Sequence, residues 1–246
     1  MNAPGEEASA APVDAHCHPG APRDGMRFVC AAGLDDWPDV STAGEEGDFA
    51  FFGVHPYHVQ DVVNVNGIAG TLRMQLYTHP GAGVGEIGMD RLRFSRSAML
   101  LQRPLFAAQL EVAAELGRAV AVHGAKAWGE TLREIAPYAG RLPAILFHGF
   151  SRAGGLVPEI AAMGGYFGVG PAVLNENAVN YLRLVRTLPR DRILAETDAP
   201  RGDGKPSPRI GQVAAGVAAA LGEDVAATAE LLAANAAAFV ARARRG

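Results

Sequence analysis

Residues 119–148 read AVAVHGAKAWGETLREIAPYAGRLPAILFH, and this stretch sets the fold. A short apolar run, 119–122, stops at His123, a stretch of helical spacing covers 128–135, and a second apolar run, 144–147, stops at His148. A β-like run, a helical stretch and another β-like run form a βα unit, the signature of a parallel sheet. The same rhythm extends outward. Residues 13–15, 27–31, 49–54, 84–87, 166–169 and 193–195 supply six more strand candidates, and 103–116, 155–163, 176–188, 212–221 and 224–240 carry helical apolar spacing. Eight strands close a barrel, so the expectation is an α/β fold of the (β/α)8 TIM-barrel type. No Gly-x-Gly-x-x-Gly turn follows the first strand, which argues against a doubly wound nucleotide-binding sheet. The region 35–48 holds Trp37, Pro38, Gly44 and Gly47 and is short of a full helix, so an abbreviated second crossover is expected.

Composition agrees with one domain. The chain has 246 residues, 49% of them hydrophobic, with its 30 glycines and 16 prolines spread along the whole length. The expected organisation is a flexible tail over 1–12 and one catalytic domain over 13–246. A net charge of -4 without a run of Lys and Arg excludes a DNA-wrapping role. Two cysteines are too few for a disulfide scaffold and suit a reducing, cytoplasmic setting. The first twelve residues lack a secretory pattern, no apolar run is long enough to span a membrane, and no obligate protein partner is evident.

In a TIM barrel the loops after the strands form the active face, so the strand-end residues carry the functional reading. Strand one ends in Asp14-Ala15-His16-Cys17-His18, where the period of two puts both imidazoles on one side and Cys17 on the other, packed. Strand four ends at Glu86, strand five at His123, strand six at His148, and strand eight at Glu196-Thr197-Asp198. Four histidines and two carboxylates facing one mouth form a metal-ligand set: His16, His18, Glu86, His123, His148 and Asp198. His58 and His79 lie away from strand ends and read as solvated.

With these motifs in view, the chain resembles the TatD-type metal-dependent hydrolases, a branch of the amidohydrolase superfamily. The resemblance rests on six ordered motifs: Asp14-Ala-His-Cys-His18, Gly53-Val-His-Pro56, Gly85-Glu-Ile-Gly-Met-Asp90, Gln109-Leu with His123 after it, His148-Gly-Phe-Ser151 and Glu196-Thr-Asp-Ala-Pro200. It implies one or two divalent cations (Zn, Mn or Mg), with His16, His18, Glu86 and Asp198 around one and Glu86, His123 and His148 around the other. Glu86 bridges them, in place of the carbamylated lysine of other amidohydrolases, so Lys126 is not the bridge. Asp198 takes the part of general base, and His55 contacts the substrate phosphate or leaving group.

The resemblance also implies the reaction, a phosphodiesterase or deoxyribonuclease acting on nucleic-acid ends or small phosphodiesters. Hydrolysis of an amide, ester or lactone is the chemical alternative, and a non-catalytic barrel scaffold is the alternative of another class. Arg91, Arg93 and Arg96 follow the Glu86 motif where the family has aromatic residues, and Arg91 is the candidate phosphate contact among them. The segment between Pro200 and Ile210 is shorter than in the family. Asn235 and Phe239 are expected to pack the last helix against the barrel.

Overall fold

Eight short strands pair in the order in which they occur, each parallel to the next. The computed structural model describes residues 11–62, 64–93, 99–151, 154–201 and 207–245. The strands are β1 (Val13–Cys17), β2 (Met26–Cys30), β3 (Phe49–Phe52), β4 (Gly83–Gly88), β5 (Val120–His123), β6 (Ile145–Phe147), β7 (Gly165–Val169) and β8 (Ile193–Ala195). Closure between β8 and β1 comes past the end of β8, through a parallel bridge of Cys17, the last residue of β1, with Ala199. There the His18 amide donates to the Ala199 carbonyl and the Asp198 amide to the His16 carbonyl, each at 3.0 Å. The expected TIM barrel is the fold observed.

Helices α1 (Trp37–Glu45), α2 (Val65–Thr78), α3 (Met99–Glu115), α4 (Trp128–Ile135), α5 (Val157–Ala162), α6 (Val179–Val185), α7 (Ile210–Leu221) and α8 (Val225–Ala243) complete the layer around the strands. One expectation is corrected in its place. The second crossover does hold a helix, α1, because Trp37, Val40 and Ala43 recur at helical spacing on a buried face and the Trp37 indole donates to the Gly53 carbonyl at 3.1 Å. The crossover without a helix is the first, where β1 passes to β2 within residues 18–25. Helix α2 stands where no helix was expected. It is capped by Asn64, whose side chain accepts from the Gly67 amide.

Helix α3 starts four residues before its expected beginning and carries Pro104 inside. Its inner face is not purely apolar. Gln109 accepts from the Val54 amide and donates to the Val54 carbonyl, while Gln102 does the same for Asp90. These two buried amides fix the chain just beyond β3 and β4, where His55 and Asp90 stand. At the opposite end, α8 closes the barrel floor: Phe239 is fully buried against Phe28, Phe49, Phe51 and Tyr166, and Asn235 donates to the carbonyls of Arg190 and Ile193. Although α8 is long and apolar enough to cross a membrane, its Phe239 face belongs to this floor. Of the expected tail, residues 1–10 lie outside the described residues.

Candidate metal centre and active site

Two strands break their regular register, and they are the two that carry the centre of the site. Between β1 and β2 the partners run Asp14 with Arg27, then Cys17 with Val29, three steps against two. The extra residue leaves His16 in the barrel while Cys17 packs outward, its thiol 3.7 Å from the Phe28 carbonyl. Between β4 and β5 the partners run Val84 with Val120, then Ile87 with Val122, and the extra length carries Glu86.

Glu86 is buried and ringed by imidazoles. Its Oε2 lies 3.2 Å from His16 Nε2 and 3.6 Å from His18 Nε2. Its Oε1 lies 3.0 Å from His123 Nδ1, 3.3 Å from His55 Nε2 and 3.7 Å from His148 Nε2. Burial alone would raise the Glu86 pKa, yet His55, His16 and His148 hold it well below the usual carboxylate range. Asp198 completes the ring from the solvent side. It is 52% exposed, sits at φ 49°, and places Oδ1 3.9–4.0 Å from the Nε2 atoms of His16, His18 and His148.

The groups behind the imidazoles decide which nitrogen faces the centre. His18 Nδ1 meets the Cys30 carbonyl at 2.9 Å, and a carbonyl only accepts, so Nδ1 carries the proton and the Nε2 lone pair points inward. His55 is the reverse case. Its Nδ1 accepts from the Tyr57 amide at 3.1 Å, so neutral His55 is protonated at Nε2 and is not a ligand. Burial lowers the His55 pKa to about 4, which keeps it neutral. His123 Nε2 lies 2.9 Å from Asp90 Oδ2, and His148 Nδ1 lies 2.9 Å from Glu196 Oε1. A carboxylate behind a histidine orients the ring and strengthens it as a ligand. Burial would raise the Asp90 pKa, but His123 and the Arg93 and Leu92 amides bring it down to about 2.

The structure brings together all six residues expected as ligands. Ligand atoms lie within 4.8 Å of one another in three sets: His16, His18 and Asp198; His16, Glu86 and His148; and His55, Glu86 and His123. The first set falls within the quartet expected around one cation. Among the described residues no set joins His123 to His148; the His148 ring stacks instead on His16 at 3.7 Å. The donors fit a divalent cation. His16 Nε2 and Glu86 Oε1 are buried without a hydrogen bond, and separations of 3.2–4.0 Å around His16 match the roughly 3.3 Å between ligand atoms of a tetrahedral site with bonds near 2.0 Å.

Arg91 is not brought into this ring, since its guanidinium pairs with Glu130 at 2.9 Å. Arg96 lies outside the described residues. His58 is exposed beside Asp61, and His79 lies against Phe52. Sequence reading assigned no role to Asp90, Glu196 or Asp14, although each follows or precedes a ligand by two to four residues. Asp14 accepts from the Thr197 amide and hydroxyl and from the His16 amide, pinning β1 to β8, and burial raises its pKa to about 6.

A family profile described as TatD related DNase matches residues 13–241. A 3'-5' ssDNA/RNA exonuclease TatD of Edwardsiella piscicida is 34% identical over 154 residues, 62% of this chain and 58% of that protein. The protein of the same name from Erwinia amylovora is 30% identical over 181 residues, 72% and 68% of the two chains. The match thus spans between half and just over two thirds of these relatives' lengths. In the fold, the TatD homologue YJJV of Escherichia coli K12 superposes with a TM-score of 0.81 at 23% identity, covering 94% of this chain and 98% of its own. A TatD family hydrolase of Entamoeba histolytica gives 0.70 at 15% identity, covering 87% and 84%. The profile covers the barrel from β1 into α8 and includes every residue around Glu86, so the chain belongs to the TatD-related DNase family.

Proposed function

We propose that this protein is a divalent-metal-dependent phosphodiesterase that removes nucleotides from the ends of single-stranded nucleic acid, with residues 13–246 acting as one catalytic unit. The observation that carries the reading is the buried Glu86 carboxylate among five imidazoles, with His16 Nε2 and Glu86 Oε1 lacking hydrogen bonds. The names of the TatD relatives support the substrate class. In this reading His16, His18, Glu86 and Asp198 hold one cation, and Glu86, His123 and His148 a second, Zn, Mn or Mg. Bound there, such cations supply the charge that polarises a phosphoryl oxygen and lowers the pKa of a water toward neutrality.

The chain's own residues supply the rest. Asp198, half exposed at the mouth, accepts the proton of the attacking water and returns it to the leaving oxygen. His55 presents its Nε2 proton to a phosphoryl oxygen, fixed in that state by the Tyr57 amide. Asp90 and Glu196 hold His123 and His148 in orientation. The net charge of -4 does not oppose a nucleic-acid substrate, because the cations supply the local positive field. The test is cleavage of a labelled single-stranded oligonucleotide and of bis(p-nitrophenyl) phosphate, with chelator and with Mg, Mn or Zn restored. Chelator-sensitive cleavage that returns with metal is the expected result. A metal-loaded protein that cleaves no phosphodiester would overturn the reading and favour carbonyl hydrolysis.

A further inference from the structure

Beside the ring of ligands stands a second construction that the roles above do not use. Tyr57 packs edge-on against His55 at 4.2 Å and His123 at 5.9 Å between ring centroids. The Arg93 guanidinium lies over the Tyr57 ring, 4.8 Å from its centroid. The start of this arginine's backbone is fixed too, because the Arg93 amide donates to Asp90 Oδ1 at 2.8 Å. Asp90 therefore holds His123 and the Arg93 backbone at once.

The charge of Arg93 is uncommitted. Arg91 pairs with Glu130, and Arg201, on another part of the rim, pairs with Asp36 and Asp39. Among the described residues, no carboxylate forms an ion pair with the Arg93 guanidinium. A guanidinium held over an aromatic ring keeps its N–H donors, a planar fork that matches two phosphate oxygens. The ring removes the rotamer freedom that an exposed arginine would otherwise lose on binding.

Resting on the nuclease reading above, we propose that Arg93, held by Tyr57, is the specificity-determining contact for the phosphate next to the scissile one. Arg93 and His55 both contact the Tyr57 ring, at 4.8 and 4.2 Å from its centroid, so the ring stands against both positions. Substrates with consecutive phosphodiesters engage both positions. An ester with a single phosphate engages only the metal centre.

The test compares two substrates across three variants and one control. For Arg93→Ala, kcat/KM on a single-stranded oligonucleotide falls roughly 10- to 100-fold, mostly through KM. On bis(p-nitrophenyl) phosphate the fall is at least tenfold smaller. The slope of log kcat/KM against log salt on the oligonucleotide drops by about one. Tyr57→Leu gives a loss in the same direction on the oligonucleotide, and Tyr57→Phe, which keeps the ring, recovers most of it. Arg103→Ala, a surface arginine elsewhere, changes neither rate nor slope. Equal losses on both substrates for Arg93→Ala, or an unchanged salt slope, would overturn the assignment while leaving the nuclease reading intact. Failure of the unaltered protein to cleave either substrate would remove the reading on which it rests.

Discussion

The two ends of this barrel are built from the same strands and have opposite chemistry. At the floor, Phe28, Phe49, Phe51, Tyr166 and Phe239 form an apolar plug. At the mouth, two residues beyond Ala121, Leu146 and Leu194 of the same cluster, stand His123, His148 and Glu196, with His16 and Glu86 beside them. On three strands the change runs at a period of two: Ala119, Ala121, His123 on one, Ala144, Leu146, His148 on the next, Leu194, Glu196 on the last. Where a carboxylate needs room, its neighbour has no side chain. A Cβ on Gly168 would stand 2.1 Å from Glu196 Oε2. The floor stabilises the fold by burying apolar surface, and the mouth uses part of that stability to keep charged and unpaired groups in place.

That division can be broken from either end, and the largest effect belongs to the mouth. Glu86→Gln lowers turnover by about 1,000-fold or more, and urea denaturation finds the fold kept. A variant with the same turnover as the natural protein would remove Glu86 from the centre. At the floor, Phe239→Ala costs about 3–5 kcal/mol of stability while kcat at low temperature holds; a drop in kcat without a drop in stability would mean that the two ends are not separable. Asp90→Asn and Glu196→Gln act behind the ligands and weaken metal affinity by about 10- to 100-fold, read by metal titration of each variant. The smallest effect lies on the rim. Arg201→Ala costs under about 1 kcal/mol, because the Arg201 side chain is half exposed. Burial would raise the Asp36 pKa, but the Ala32 amide and Arg201 lower it below its ordinary value. The pair's contribution is therefore present above the ordinary carboxylate pKa and is lost as pH falls through the lowered one, so the stability difference between Arg201→Ala and the natural chain closes on acidification.

The legible part of the sequence is the part written locally. Strand ends at Glu86, His123, His148 and Asp198 were visible because apolar runs stop there, and Asn235 and Phe239 through the family's closing pattern in the last helix. Features that depend on distant partners were not. Helix α2 carries Gly67 and Gly70, which weaken its local signal, and it holds through Leu72 and Leu76 packed in the outer core. Gln102 and Gln109 interrupt an apolar face because their partners are the backbone at Asp90 and Val54, 12 and 55 residues away. The register shifts at His16 and Glu86 need two strands to exist at all, and the stacking of His148 on His16 needs β1 and β6 together.

The central claim is that the ring around Glu86 holds divalent cations and that their occupancy governs phosphodiester cleavage. Chelator-stripped protein titrated with Mn²⁺, with bound metal and oligonucleotide cleavage measured in the same samples, tests it most directly. The account predicts saturable binding of one or two equivalents per chain, with the rate rising in step with occupancy and both lost in Glu86→Gln. Full cleavage by the stripped protein, or cleavage that does not follow bound metal, would contradict it.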